Sequence, residues 1–415
     1  MSKIPTLIIG ICLSGALCLN TNAQSYDILI KDGHVIDAKN GIDRVMDIAI
    51  NEGQVMRVDR NISAADATTV IDARGKYVTP GIIDMHTHNY HGVDGEYLSD
   101  GFHGLPPDGF TLRAGVTTVV DVGSSGWRNF PDFKEQTIDR SKTRVLAFLN
   151  IVGLGMKGDA HEQDLRDMDA KLTAVTAMRY SDVVVGVKVA HYAGPEWDPV
   201  ERSVEAGNLA DVPVMVDFGG VIPELSLETL LMEKLRPGDI LTHTFAHVKG
   251  RIPIVDSTGN LESFVKEAQQ RGIVFDVGHG GGSFLFRQAI PATQQGFRPD
   301  VISTDLHIGS MNGGMKNMAN VMSKFLNMGM SLQQVIAAST WAPAQVIKRE
   351  ELGHLSEGAI ADVAVFTVRQ GQFGFLDVRN NRMNGTQKLE CELTIRDGNV
   401  VYDLNGIASQ VWDAQ

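Results

Sequence analysis

The chain predicts an α/β fold: a (β/α)8 TIM barrel carrying a small β-sandwich domain built from the N- and C-terminal segments. Two observations predict it. The middle of the chain alternates eight short Val-, Ile- and Leu-rich runs with helical stretches, and the two ends carry similar strand–turn–strand segments. A doubly wound open sheet is the alternative for the middle.

The eight runs begin with Gly81 to His86, Thr117 to Asp121, Arg144 to Leu149 and Val183 to Val189. They continue with Pro213 to Phe218, Ile240 to His243, Ile273 to Val277 and Val301 to Asp305. Strands covered on both faces read as continuous apolar runs of this kind. Asp164 to Tyr180, Pro223 to Lys234, Asn260 to Gln270 and Ser331 to Ala338 read as helices between them. At the ends, Ile30-Lys31-Asp32-Gly33-His34-Val35-Ile36 parallels Ile395-Arg396-Asp397-Gly398-Asn399-Val400-Val401. Asp-Gly between apolar runs signals a two-residue hairpin. Two such hairpins are expected to pair in one β domain, with the centre inserted between them. The expected boundaries are 24–79 and 351–415 for the β-sandwich and 80–350 for the barrel.

Residues 1–23 read as a signal peptide. Lys3 supplies positive charge, and Thr6 to Leu19 is apolar but short for a bilayer. Thr21-Asn22-Ala23 places small residues at a cleavage site. The expectation is export, periplasmic or secreted, with cleavage near Ala23 and no stable membrane anchor afterwards; an uncleaved anchor is the alternative. Cys12 and Cys18 fall in that segment, leaving Cys391 alone and no intramolecular disulfide. With 43% hydrophobic and 21% charged residues, the 415-residue chain can bury a large core. Its formal charge of −13 comes without any basic run, which argues against nucleic acid as a partner. A homo-oligomer is compatible with the sequence.

The chemistry gathers where the runs end. His86 and His88 close the first run one residue apart, and positions i and i+2 of a strand point the same way. Two imidazoles so placed can grip one ion, zinc being a common choice. Alone, the pair stays open to reading as two surface histidines. Lys188, Asp217, His243 and Asp305 stand near the ends of the fourth, fifth, sixth and eighth runs. In a barrel the active site lies at the C-terminal ends of the strands, so six polar side chains would converge on one mouth.

These residues lie in segments that resemble the amidohydrolase superfamily. They are Pro80-Gly81-Ile82-Ile83-Asp84-Met85-His86-Thr87-His88, Val187-Lys188-Val189, Leu241-Thr242-His243 and Ser303-Thr304-Asp305. Ser339-Thr340-Trp341-Ala342-Pro343-Ala344 and Gly358-Ala359-Ile360-Ala361-Asp362-Val363 match its closing stretch. More narrowly, four segments are similar to the amidohydrolase/deacetylase (dihydroorotase-like) group. These are His86-Thr87-His88-Asn89-Tyr90-His91-Gly92, Phe275-Asp276-Val277-Gly278-His279-Gly280, Ser303-Thr304-Asp305-Leu306-His307 and Met322-Ser323-Lys324-Phe325-Leu326. The resemblance runs from about Tyr26 to Val401.

It implies a site for two divalent metal ions, zinc in expectation. His86, His88 and Asp305 would hold the first, Lys188 would bridge both as a carbamate, and His243 with Asp217 would hold the second. Asp217 stands where the superfamily has His, and its charge makes manganese an alternative at the second position. A one-metal enzyme with Asp217 as bystander also stays open. The implied reaction is hydrolysis of a non-peptide C–N bond in a small molecule, first of all an N-acyl amide, as in a deacetylase or aminoacylase. Attack would be by metal-activated hydroxide, with Asp305 as the catalytic proton shuttle. A cyclic amidase of the dihydroorotase or hydantoinase kind is the nearest alternative. Dihydroorotases follow His-x-His with an Arg, and here Asn89-Tyr90-His91 follows. Ester or lactone hydrolysis uses the same machinery. A non-enzymatic metal-binding protein is disfavoured because Lys188 and Asp305 are both present. His91, Tyr192, His279 and His307 are candidates for substrate contact. His34, His103, His161, His191, His247 and His354 read as ordinary loop residues.

Overall fold

The computed structural model describes residues 26–91, 103–220 and 222–412. The expected signal peptide, with Cys12 and Cys18, lies outside the described residues, as does Gly92. In chain order the strands are β1 (Tyr26–Asp37), β2 (Ile42–Asn51), β3 (Gln54–Asp59), β4 (Ala67–Asp72), β5 (Tyr77–Pro80), β6 (Ile82–Thr87), β7 (Val116–Gly126) and β8 (Arg144–Asn150). They continue with β9 (Val184–Val189), β10 (Val214–Val216), β11 (Ile240–Leu241), β12 (Val274–Phe275), β13 (Val363–Leu376), β14 (Arg382–Arg396) and β15 (Asn399–Asp403).

The chain ends meet in one mixed sheet, ordered β15-β14-β13-β5-β1-β2-β3, with β4 beside β1. The seam is β5, parallel to β1 and antiparallel to β13. The two Asp-Gly pairs behave differently. Asp397 and Gly398 do turn a hairpin, with φ of 53° and 73° between the paired Arg396 and Asn399. Asp32 and Gly33 do not. The strand β1 runs through them in a bulge that sets Lys31 and Asp32 opposite Asp47. The buried Asp47 carboxylate explains this: it accepts from Asp32 N (2.8 Å) and Lys31 Nζ (2.6 Å). Gly33 is needed there for close approach, since a Cβ would lie 2.4 Å from Val78 Cγ2.

The second sheet is parallel and curled, with β6 to β12 in sequence order. Its strands β6, β7 and β9 are buried along their whole length. Ile83, Met85, Val120 and Phe148 pack on one face, while Ile82, Val119 and Val187 pack on the other. Burying each large side chain is worth about 1.5–3 kcal/mol. The eighth run forms no laddered strand. It touches both edges through two isolated parallel bridges, Thr87 to Leu306 and Asp276 to Val301. Asp84 holds it to β6 as well, accepting from Thr304 N at 2.9 Å.

At the N-terminal ends of the parallel strands, Asp362 joins the two sheets. Its carbonyl accepts from Gly81 N (2.8 Å), and its carboxylate takes Arg144 Nη1 (2.5 Å) and Asp397 N (2.8 Å). The stretch from Asp164 to Tyr180 splits into a 3-10 turn, Leu165–Asp167, and a helix, Ala170–Arg179. Asp169 forces the break, capping the helix by accepting from Lys171 N and Leu172 N. Among the described residues no helix is long and apolar enough to cross a membrane.

Candidate metal centre

At the C-terminal ends of the parallel strands lies a cavity of about 230 Å³, lined by His86, His88, Lys188, Asp217, His243 and Asp305. Each comes from a separate segment, apart from the His86 and His88 pair. His86 lies in β6, Lys188 in β9, and Asp217 directly follows β10. The ligand atoms of His86, His243 and Asp305 all lie within 4.8 Å of one another. His86 Nε2 and His88 Nε2 stand 3.6 and 3.0 Å from Asp305 Oδ1, and His243 Nε2 stands 3.6 Å from Asp217 Oδ2.

The other ring nitrogens show why these orientations are fixed. His243 Nδ1 donates to the Gly278 carbonyl at 2.6 Å, which leaves a lone pair on Nε2. Thr242 Oγ1 donates to Asp276 Oδ2 and so accepts from His86 Nδ1 at 2.8 Å. His88 Nδ1 meets Ser124 Oγ at 3.1 Å. Imidazoles that bond the protein through one nitrogen and face a shared space with the other are arranged as metal ligands are. Two lone pairs aimed at carboxylates also require positive charge between them. The donor set therefore fits divalent cations.

Electrostatics agree. Burial and the Lys188 charge push His86 down to about 3, so its imidazole is neutral. Burial likewise lowers Lys188. Burial works against the Asp305 charge, but His86, His88 and His307 hold the carboxyl well below the usual carboxylate range. Burial also opposes ionisation of Asp217, and His243, His191 and Lys188 outweigh it downward.

The backbone is strained at the same place. His191, His243 and Asp305 have φ of 54°, 55° and 51°. Such left-handed residues cost about 1–3 kcal/mol each and collect at functional sites. The loop Gly278–Gly280 packs against His243 and Asp305, and a Cβ on Gly280 would lie 2.2 Å from Asp305 Oδ2. His279 anchors that loop. Its Nε2 meets Lys324 Nζ at 2.6 Å, and the buried Lys324 ammonium also donates to the carbonyls of Gly314 (2.8 Å) and Leu376 (2.7 Å).

Of the candidates for substrate contact, His307 lines the cavity and the other three do not. His279 is buried against Phe284, Tyr192 bonds Glu196 through its hydroxyl, and His91 bonds the Asn89 carbonyl. Two histidines read as ordinary from the sequence, His103 and His191, do line it. His191 had a signal: it follows Lys188 by three residues, within the zone where strands end. Its Nδ1 bonds Glu162 Oε2 at 2.7 Å and its Nε2 lies 3.8 Å from Asp217 Oδ2. Burial opposes its charge, but Glu162 and Asp217 push it up to about 9.

Known proteins bear on this site. The profile of an amidohydrolase family matches residues 298–402. A deacetylase of Brucella anthropi is 35% identical over 334 residues, 78% of this chain and 80% of that one. The crystal structure of an adenine deaminase superposes with a TM-score of 0.82 at 29% identity, covering 91% of this chain and 100% of that one. That of a dihydroorotase gives 0.78 at 30% identity, covering 91% and 99%. Together with the convergent imidazoles and carboxylates, these similarities show that the chain belongs to the amidohydrolase superfamily and is a metal-dependent hydrolase of C–N bonds.

Proposed function

We propose that the chain removes the acyl group from a small N-acyl amide at a site for two divalent ions. The observation that carries this reading is the set of three imidazoles, each bonded to the protein through Nδ1 and turned through Nε2 to one cavity. His86, His88 and Asp305 would hold the first ion, and Asp217 and His243 the second. Lys188, as a carbamate, would serve both. Burial lowers its pKa, and the uncharged amine is the form that can react with carbon dioxide. Nitrogen and oxygen donors suit zinc, and the Asp217 carboxylate admits manganese at the second position. The segment Val301 to Asp305 serves as the eighth stave of a (β/α)8 barrel.

When bound, the ions supply the Lewis acidity that activates a water and polarises the amide carbonyl. Asp305 does the proton work. Its carboxylate stays ionised, takes a proton from the attacking water and gives it to the departing nitrogen. His307 borders that position, with Nε2 3.9 Å from Asp305 Oδ2, and contacts the substrate. A cavity of about 230 Å³ suits a small amide rather than a polymer. The deacetylase of Brucella anthropi supports the acyl-amide reading. The likeness to a dihydroorotase favours a cyclic amide as the second reading. Residues 1–23 would direct export, so the reaction takes place in the periplasm or outside the cell.

The test is a panel of N-acetyl amino acids beside dihydroorotate and a hydantoin, with metal-loaded and chelator-treated enzyme. Acetate release abolished by chelator is the expected result. Turnover of the cyclic amides alone selects the second reading, and turnover insensitive to chelator refutes both.

A further inference from the structure

We infer that His191 is a ligand of the second ion, supplying from the loop after β9 the imidazole that the end of β10 lacks. The inference rests on the two-ion reading above and goes beyond it, because Asp217, His243 and the shared Lys188 would give that ion only one imidazole.

Three independent observations carry it. The first is direction. Glu162 is buried, and its carboxylate can only accept, so His191 donates through Nδ1 and turns Nε2 towards the cavity. That nitrogen faces Asp217 Oδ2 at 3.8 Å, the oxygen that His243 Nε2 faces at 3.6 Å. Both separations exceed a direct hydrogen bond, which runs to about 3.2 Å. Two ring nitrogens converge on one carboxylate oxygen from beyond hydrogen-bond reach, the arrangement of ligands around a cation that would displace the ring protons.

The second observation is the support. A carboxylate behind an imidazole is the usual orienting partner of a metal-bound histidine. Here Glu162 is itself fixed, accepting from Gly158 N at 3.1 Å. Gln163 clamps the same turn from both sides, donating to the His191 carbonyl (2.8 Å) and accepting from Ala193 N (2.9 Å). The third is strain. The loop carries His191 at φ 54°, the conformation shared by His243 and Asp305 on the cavity.

The experiment counts ions. Wild-type enzyme, metal-loaded and then dialysed, is expected to hold two ions per chain by elemental analysis. His191→Ala is expected to keep one, with an altered visible spectrum when cobalt replaces the native metal. Glu162→Gln should weaken the second ion about 10- to 100-fold while leaving the first. Asp217→His in the His191→Ala background restores an imidazole to β10 and should recover the second ion, which separates lost ligation from a damaged fold. Wild-type stoichiometry, affinity and cobalt spectrum in His191→Ala would overturn the inference, and a raised KM with both ions retained would make His191 a substrate contact instead. A wild-type chain holding one ion, unchanged in His191→Ala, would overturn it while sparing the metal reading. A wild-type chain holding none would sink the metal reading itself.

Discussion

His86 and His88 stand at the end of a fully buried strand, whereas His191 stands half-exposed on a strained loop. Both flanks of the cavity aim imidazoles at a carboxylate, Asp305 on one side and Asp217 on the other. The first flank takes the direction of its histidines from the pleat of a strand, and Thr242 and Ser124 then fix the rings. The second must be assembled from Glu162, Gln163 and a left-handed turn. A site can therefore take the directions of one half from regular structure and set those of the other by contacts within a loop. The built half is the one that substitutions should loosen first.

The largest effect should come from Asp305. Asp305→Asn is expected to lower kcat by about 10³-fold or more while much of the metal stays, since it removes the proton carrier and keeps the shape. Near-native turnover would remove Asp305 from the reaction. Gly280→Ala strikes the same flank through sterics, because its Cβ would crowd Asp305 Oδ2. We expect kcat to fall about 10- to 100-fold, with the second ion untouched in cobalt spectra. Equal disturbance of both ions would show that the flanks are coupled.

Cys391 belongs to neither flank and gives the smallest effect. Burial pushes its thiol from 9.0 to about 12. Between those values the unfolded chain releases a proton that the folded chain keeps, so this thiol makes stability fall as pH rises there. Below pH 9 the native protein should resist thiol reagents and react only on unfolding. Fast labelling of native enzyme would contradict the burial.

The sequence exposed the first flank because an apolar run ending in His-x-His carries its geometry locally. Lys188, Asp217, His243 and Asp305 were legible for the same reason, each standing at or near the end of an apolar run. His191 was not, because its orientation depends on Glu162, 29 positions earlier, and on a backbone conformation that no residue pattern announces. The Asp-Gly pairs teach the same lesson. At 397–398 local chemistry decided the outcome, while at 32–33 the buried Asp47 and the nearby Val78 did. His279 read as a mouth residue because glycines surround it, but Lys324 draws it inward.

Lys324 reaches further than its neighbours. One of its three acceptors, the Leu376 carbonyl, ends β13 in the mixed sheet. The glycine loop beneath Asp305 is thus moored to a strand contributed by the other end of the chain. A fragment trimmed to the parallel sheet would strand an ammonium in the interior without its full complement of acceptors. Transplanting the catalytic half onto another scaffold would thus require carrying the second sheet along.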